Sequence, residues 1–355
     1  MRLRLCAAAL LVAACLTTAC ETDFDVAGNW KETIIAYGLL DVSQPKQYIR
    51  LNKAFLGEDI NANAVAQIAD SAALIEPVTA VLEVYNDANY NSLSTTYPLA
   101  KIDAMQEGIV KDDGTFYTSP YYLYTTAQAL SSSKWYNLKV TTGKGTEISA
   151  RTSVIGDFPI TRPSVDNGLN LSDSTFLLRW KHHPESAFYD GDIILKFAEL
   201  RTDASQAIKK TVRVNVFTNW EPIGVQANEI IRFDVNVRDF FAAMLRDFGT
   251  EAANDPNVIR RDLEYIDVAI HAGNKELQTF NSVASAQLGI TASQNLLSYT
   301  NIEGGLGLFA SRYSKLITDL PVEVVSYEPL SCSPEGKQLK FTLHPNDVRY
   351  PFACD

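Results

Sequence analysis

The chain has 355 residues, 46% of them hydrophobic, and a formal charge of −11 at neutral pH. Apolar content at this level can build real cores, and the length exceeds what one core usually serves, so two domains are expected. The acidic balance argues against nucleic acid as a partner and against electrostatic docking on anionic lipid, since both need clustered Lys and Arg.

The first element in chain order is an export leader over residues 1–19. Arg2 and Arg4 give the charged start, residues 5–16 an apolar stretch, and Thr17, Thr18 and Ala19 the small residues before Cys20. This pattern predicts a bacterial lipoprotein signal, with the Cys20 thiol acylated and the chain cut just before it. The stretch is shorter than the roughly twenty apolar residues that cross a bilayer. A cut before Cys15 is the alternative within the same pattern, although it leaves a very short apolar core, and an ordinary secretory cut would leave Cys20 a plain thiol. The expected acyl chains anchor the protein in the membrane at about 0.8 kcal/mol per buried methylene. Residues 20–28 then form a tether with Glu21, Asp23 and Asp25. Once Cys6 and Cys15 leave with the leader, Cys332 and Cys354 remain, and after export such a pair is expected to form a disulfide. His344 lies between them, but a thiolate metal site needs three or four ligands, so no metal is expected, nor any cofactor.

Residues 29–157 read as an N-terminal β-sandwich of immunoglobulin or transthyretin type. Strands are predicted at 33–40, 47–55 and 79–85 from their β-branched and aromatic content, and an Ala-rich helix or lid at 61–74. A hairpin over 135–140 and 147–154 turns at Gly143 and Gly145. The stretch 156–173, with Pro159, Pro163 and Gly168, is the expected boundary, too irregular for a strand ladder. Residues 158–355 resume with strands at 175–180, 192–200, 209–217 and 229–235. An amphipathic helix over 237–248 ends at Gly249, followed by a strand at 262–271 and a helix at 275–286. Strands return at 307–313, 322–327 and 338–343. The fold class is therefore mainly β: two β-sandwich-like domains, the second with one or two packed helices.

Chemistry-bearing residues are scattered. His182 and His183 stand near Asp190 and Asp192, but adjacent histidines on an extended segment face opposite ways, and their spacing matches no metal or triad signature. A hydrogen-bonded polar loop is the plainer reading, and His271 and His344 read as structural. Gly304, Gly305 and Gly307 lack the Gly-Lys-Ser of a phosphate loop and read as a turn into a strand. Tyrosines offer more. Tyr117, Tyr121, Tyr122 and Tyr124, with Tyr85, Tyr90 and Tyr97 upstream, supply flat rings for a sugar or a partner. Tyr122 and Tyr124 share one face of a strand and Tyr121 takes the other, so some of these rings belong to the core. Tyr121, Tyr122 and Tyr124 are the ligand-binding candidates.

Three stretches carry a likeness to a known family. The start at Cys20-Glu21-Thr22-Asp23-Phe24-Asp25, the segments 36–40 and 48–56, and the late Thr300-Asn301-Ile302-Glu303-Gly304-Gly305-Leu306-Gly307-Leu308-Phe309 together resemble Bacteroidota outer-membrane lipoproteins of unknown function. Thr17 departs from the pattern, standing where such signals commonly have Leu. The resemblance implies β-sandwich domains and an envelope lipoprotein of the outer membrane, of a kind often encoded near TonB-dependent receptors, and the acidic start after Cys20 resembles a surface-export signal. It carries no catalytic residue. Two readings follow: a non-enzymatic binding or accessory lipoprotein with a glycan or peptide ligand, or a secreted hydrolase whose active site is assembled from distant residues. The absence of a local catalytic signature favours the first.

Overall fold

The computed structural model describes residues 33–54, 66–74, 76–287 and 299–354; the leader, Cys20, the tether, the end of the second expected strand and part of the 61–74 helix lie outside them. The chain is mainly β. Its first part supplies β1 (Ile34–Leu40), β2 (Gln47–Lys53), β3 (Val78–Tyr85), β4 (Leu93–Pro98), β5 (Ala100–Asp103), β6 (Tyr122–Thr126), β7 (Trp135–Thr142) and β8 (Glu147–Ser153). Then follow β9 (Ile160–Arg162), β10 (Thr175–Lys181), β11 (Phe188–Arg201), β12 (Ile208–Trp220), β13 (Ile230–Asn236), β14 (Val258–Gly273) and β15 (Leu306–Leu320). The helices are α1 (Ala69–Ala72), α2 (Val237–Ala253), α3 (Lys275–Gln287), α4 (Tyr327–Cys332) and α5 (Pro334–Gln338).

One eight-stranded sheet, ordered β12-β11-β14-β15-β1-β2-β6-β5, runs the length of the described structure. A four-stranded sheet, β4-β3-β7-β8, covers part of one face, and a three-stranded sheet, β13-β10-β9, lies with the other core. Strand alternation explains the first core. In β1, Ile34, Ala36 and Leu40 point inward and are fully buried, and they meet Leu82, Leu138 and Val140 of the small sheet. Ile302 and Phe309, far along the chain, complete this core. The second core gathers Ile193, Leu195, Phe197, Val268 and Ile270 of the large sheet against Leu178, Trp180 and Ile231 of the three-stranded sheet and the apolar face of α2. Trp180 stacks on Phe217 with planes 8° apart.

The join between the halves is the parallel pair β1–β15, which sets Tyr37 beside Leu308 and Gly38 beside Phe309. Gly307 makes the approach feasible: its φ is +116°, and a Cβ there would fall on the Ala36 carbonyl oxygen. Asn301 locks the strand start by accepting from the Phe309 amide (2.9 Å) and donating to its carbonyl (2.7 Å). The three glycines at 304, 305 and 307 thus serve backbone approach to neighbouring strands rather than an anion.

Helix α2 begins where the Asn236 side chain accepts from the Arg238 and Asp239 amides, and it breaks at Gly249, whose φ is +78°. Near its end a buried ion pair fastens three elements. Arg261 of β14 and Glu199 of β11, each 1% exposed, meet at 2.9 Å, and Arg261 also donates to the carbonyls of Ala252 and Leu339. Burial alone would raise the Glu199 carboxyl, but bonds from Lys210 and Arg201 and the charge of Arg261 hold it below its ordinary value. A disulfide joins Cys332 and Cys354, closing a loop of 22 residues that confers about 3 kcal/mol in the chain-entropy model.

Several expected elements differ. Of the strand expected at 322–327 only Val322 makes a bridge, to Leu169; Val324–Ser326 form a 3₁₀ turn leading into α4, because Tyr327 and Leu330, three apart, bury together while Val324 and Val325 stay exposed. Residues 338–343 are no strand; after α5 ends at Gln338 they meet β14 through the isolated Arg261–Phe341 bridge and through side-chain bonds such as Lys340 to the Val258 carbonyl and Thr342 to Asp262. The stretch 156–173 does hold a strand, β9, kept to three residues by Pro159 and Pro163 on either side. Among the described residues of 61–74, α1 is a single turn.

Two outcomes are expected in denaturation experiments. Gly307→Ala should cost about 3 kcal/mol or more, because strain and clash add, whereas Gly145→Ala, also at positive φ but with open space around it, should cost about 1 kcal/mol. Glu199→Gln should cost about 3–5 kcal/mol at pH 7, since it strands Arg261. Because the folded Glu199 carboxyl is depressed, its contribution is present above the ordinary carboxylate range and is lost as pH falls, so wild type and variant should converge in acid.

Candidate functional site

The joining of β2, β1 and β15 creates an outer face as well as a core. On this face stand Tyr37 and Leu39 on β1 and Tyr48 and Arg50 on β2, which alternate with more buried positions, and Leu308 and Arg312 on β15, of which Leu308 is buried and Arg312 exposed. Register places Arg50 directly across from Tyr37, and Tyr37 across from Leu308, so a cation, a ring and an aliphatic side chain stand in one row. Tyr48 pairs with Thr125 of β6, and strand alternation puts Tyr121, at the head of β6, on the same face. Helix α3 lies above and contributes Leu277, Phe280 and Asn281. Between helix and sheet runs an open groove of about 670 Å³. Its upper end is braced by Asn274, 1% exposed, which donates to Thr152 Oγ1 on β8 (2.8 Å) and so fixes where α3 starts.

The groove's electrostatics are uneven. Lys46 is paired with Glu107 at 2.8 Å, and the Glu107 carboxyl, held below its ordinary value by Lys46 and then by Tyr48, also accepts from the Tyr48 hydroxyl. Arg312 stands 4.0 Å from Asp41, whose carboxylate is already engaged by Ser43. Arg50 donates to the neutral Asn52 side chain, and its guanidinium lies 5.9 Å from the centre of the Tyr121 ring. Gln47, buried, ties down the 41–47 turn through the Asp41 amide and carbonyl.

The three tyrosine candidates part company here. Tyr121 lines the groove. Tyr124 points to the other face and is 1% exposed within the first core. Tyr122 shares Tyr124's face and carries the Lys101 ammonium 4.1 Å from its ring centre, on the side away from the groove. Of the remaining rings, Tyr85 and Tyr90 pack edge to face at 5.3 Å, and Tyr97 packs on the first core. Sequence reading missed Tyr37, Tyr48, Arg50, Phe280 and Arg312. The available signal was β1 itself, whose outward positions, Tyr37 and Leu39, are as apolar as its inward ones.

His182 and His183 do not assemble with Asp190 or the nearby Asp192. His182 is buried with its Nδ1 3.0 Å from the Tyr189 hydroxyl. His183 has the Gly156 amide on Nε2 (3.0 Å) and the Glu185 amide on Nδ1 (3.2 Å), so whichever nitrogen carries the lone pair is engaged. Burial pushes both imidazoles below their ordinary value, which leaves them neutral at pH 7. Asp190 accepts from the Asn219 amide.

Asp192 instead meets His271, 79 residues away: Nε2 lies 3.1 Å from Asp192 Oδ2 and Nδ1 lies 2.7 Å from Ser314 Oγ. Although burial opposes it, bonds from His271, Asn215 and Arg213 keep the Asp192 carboxyl below its ordinary value. This Asp–His–Ser chain lies across β11, β14 and β15, with Asp192 and His271 on strands laddered on both sides and Ser314 laddered to β14. Arg213, 2.7 Å from Asp192, also takes up the charge that would support an imidazolium. Among the described residues no group of three His, Cys, Asp or Glu could hold a metal ion.

No family model matches the chain, and no curated protein does. Among solved structures, the C-terminal globular domain of an oligosaccharyltransferase from Pyrococcus abyssi is similar over 69% of this chain at 11% identity, with a TM-score of 0.23. The chain spans about half (49%) of that structure's length. A likeness this slight carries no argument about fold or activity.

A fluorophosphonate probe, which labels serines activated by a histidine, should leave Ser314 unmodified, and Ser314→Ala should not change the protein's background hydrolysis of p-nitrophenyl esters. Peptide mapping by mass spectrometry and a plate assay check both.

Proposed function

We propose that the chain is a lipid-anchored lipoprotein of the bacterial outer membrane with a non-enzymatic binding or accessory role, and that the groove under α3 is where it holds a ligand. The observation that carries the binding role is the convergence of rings and guanidinium groups on one groove between α3 and the large sheet. Volume agrees: about 670 Å³ lies inside the roughly 300–1,000 Å³ usual for small-molecule sites.

Anchoring rests on the leader and on Cys20, a disulfide on residues that would remain after export supports an oxidising compartment, and the acidic surface suits retention by acyl chains rather than by basic patches. The family resemblance adds the outer membrane and a neighbouring TonB-dependent receptor, to which a ligand held in the groove would be passed or presented.

Cells fed an alkyne analogue of palmitate should yield a labelled protein that partitions into the detergent phase, and Cys20→Ala should abolish both label and partitioning. Label that survives Cys20→Ala but not Cys15→Ala would move the attachment site. An unlabelled, fully soluble wild type would end the lipoprotein reading.

A further inference from the structure

We infer that the groove selects saccharides bearing carboxylate groups; the inference rests on reading the groove as the ligand site. Two kinds of contact converge there. Tyr37, 46% exposed, with Tyr48 and Tyr121 on the sheet side and Phe280 on the helix side, presents ring faces suited to the C–H faces of pyranoses. Between and beside them stand Arg50 and Arg312, forks that match a carboxylate with two parallel hydrogen bonds.

The charge balance separates an acidic ligand from a neutral one. A chain with a formal charge of −11 has ample carboxylates with which to neutralise a surface arginine. Lys46 is so neutralised, but among the described residues no carboxylate forms an ion pair with Arg50, whose charge rests against Asn52 and the Tyr121 ring instead. Arg312 reaches Asp41 only at 4.0 Å, and that carboxylate is shared with the Ser43 amide and hydroxyl. Two under-compensated guanidiniums on either side of Tyr37 leave room for negative charge on the occupant.

Topology favours a sugar over an acidic peptide. Extended peptides gain affinity by adding to a sheet edge, but β2, β1 and β15 all stand inside the eight-stranded order, and β1, the middle one of the three, is laddered on both sides over residues 35–38. Only side chains face the groove, and rings plus forks are what an anionic pyranoside can use.

The test is calorimetric titration of the purified mature protein with tetramers of galacturonate, glucuronate and mannuronate, with maltotetraose as the neutral counterpart and tetraglutamate as the acidic peptide. At least one uronate should bind, maltotetraose at least about tenfold more weakly; Arg50→Gln and Arg312→Gln should each weaken the uronate about tenfold without shifting the thermal midpoint. Raising salt should weaken it too. Tyr121→Ala should weaken any bound saccharide, charged or not. Equal binding of maltotetraose, still sensitive to Tyr121→Ala, would overturn the acidic class while leaving the groove as a ligand site. Preference for tetraglutamate would overturn the saccharide. Binding of none of the probes would overturn the inference, and uronate binding indifferent to Tyr37→Ala, Tyr121→Ala and both arginine variants would overturn the groove itself.

Discussion

The parallel contact between β1 and β15 is the constraint on which the rest of the structure depends. It brings strands from near the two ends of the described chain into one sheet, and it is possible only because residue 307 lacks a side chain and takes a φ of +116°. Parallel neighbours require a long crossover, and here the crossover is most of the protein. Alternation then makes the same contact serve two purposes. Phe309, facing in, is fully buried and completes the first core; Leu308, facing out, forms the floor of the groove. Loss of the pairing would remove both.

Two polar fixtures hold the surroundings in place. The Arg261–Glu199 pair joins β14, β11, the end of α2 and the segment after α5, with each remaining guanidinium nitrogen on a carbonyl. Such a pair contributes little net energy compared with an apolar replacement, but it penalises any arrangement that separates its partners. Asn274 acts likewise at the corner between β14 and α3, bonding to β8 across the two halves. The helix over the groove therefore starts from a fixed point.

Local patterning made much of this legible in the sequence. The β1, β2 and β3 strands follow from β-branched and aromatic runs, α2 from its apolar stripe and the glycine at 249, and the Cys332–Cys354 bridge from counting the thiols beyond the expected leader. Where tertiary contacts overrode local preference, the reading failed. Val322, Val324 and Val325 look like a strand, yet the burial of Tyr327 and Leu330 on one helical face bends the segment into a turn and helix. Strands β14 and β15 run several residues beyond their apolar centres because neighbours supply ladder partners that the sequence does not reveal. The groove was visible only through Tyr121. Arg50, Arg312 and Phe280 come from three elements that meet through one long-range pairing, and no window of sequence contains two of them.

Pairing also governs what the outer face of the large sheet can offer a ligand: β1 is laddered on both sides over residues 35–38, so there only side chains are free. Of the two polar constellations on the outer face of the large sheet, the Asp192–His271–Ser314 chain has its bonds turned on one another and on Arg213, whereas the groove leaves rings and two guanidiniums facing open space. The second kind of surface can fill its remaining hydrogen-bond and charge capacity with an occupant, and the first has little left to give one.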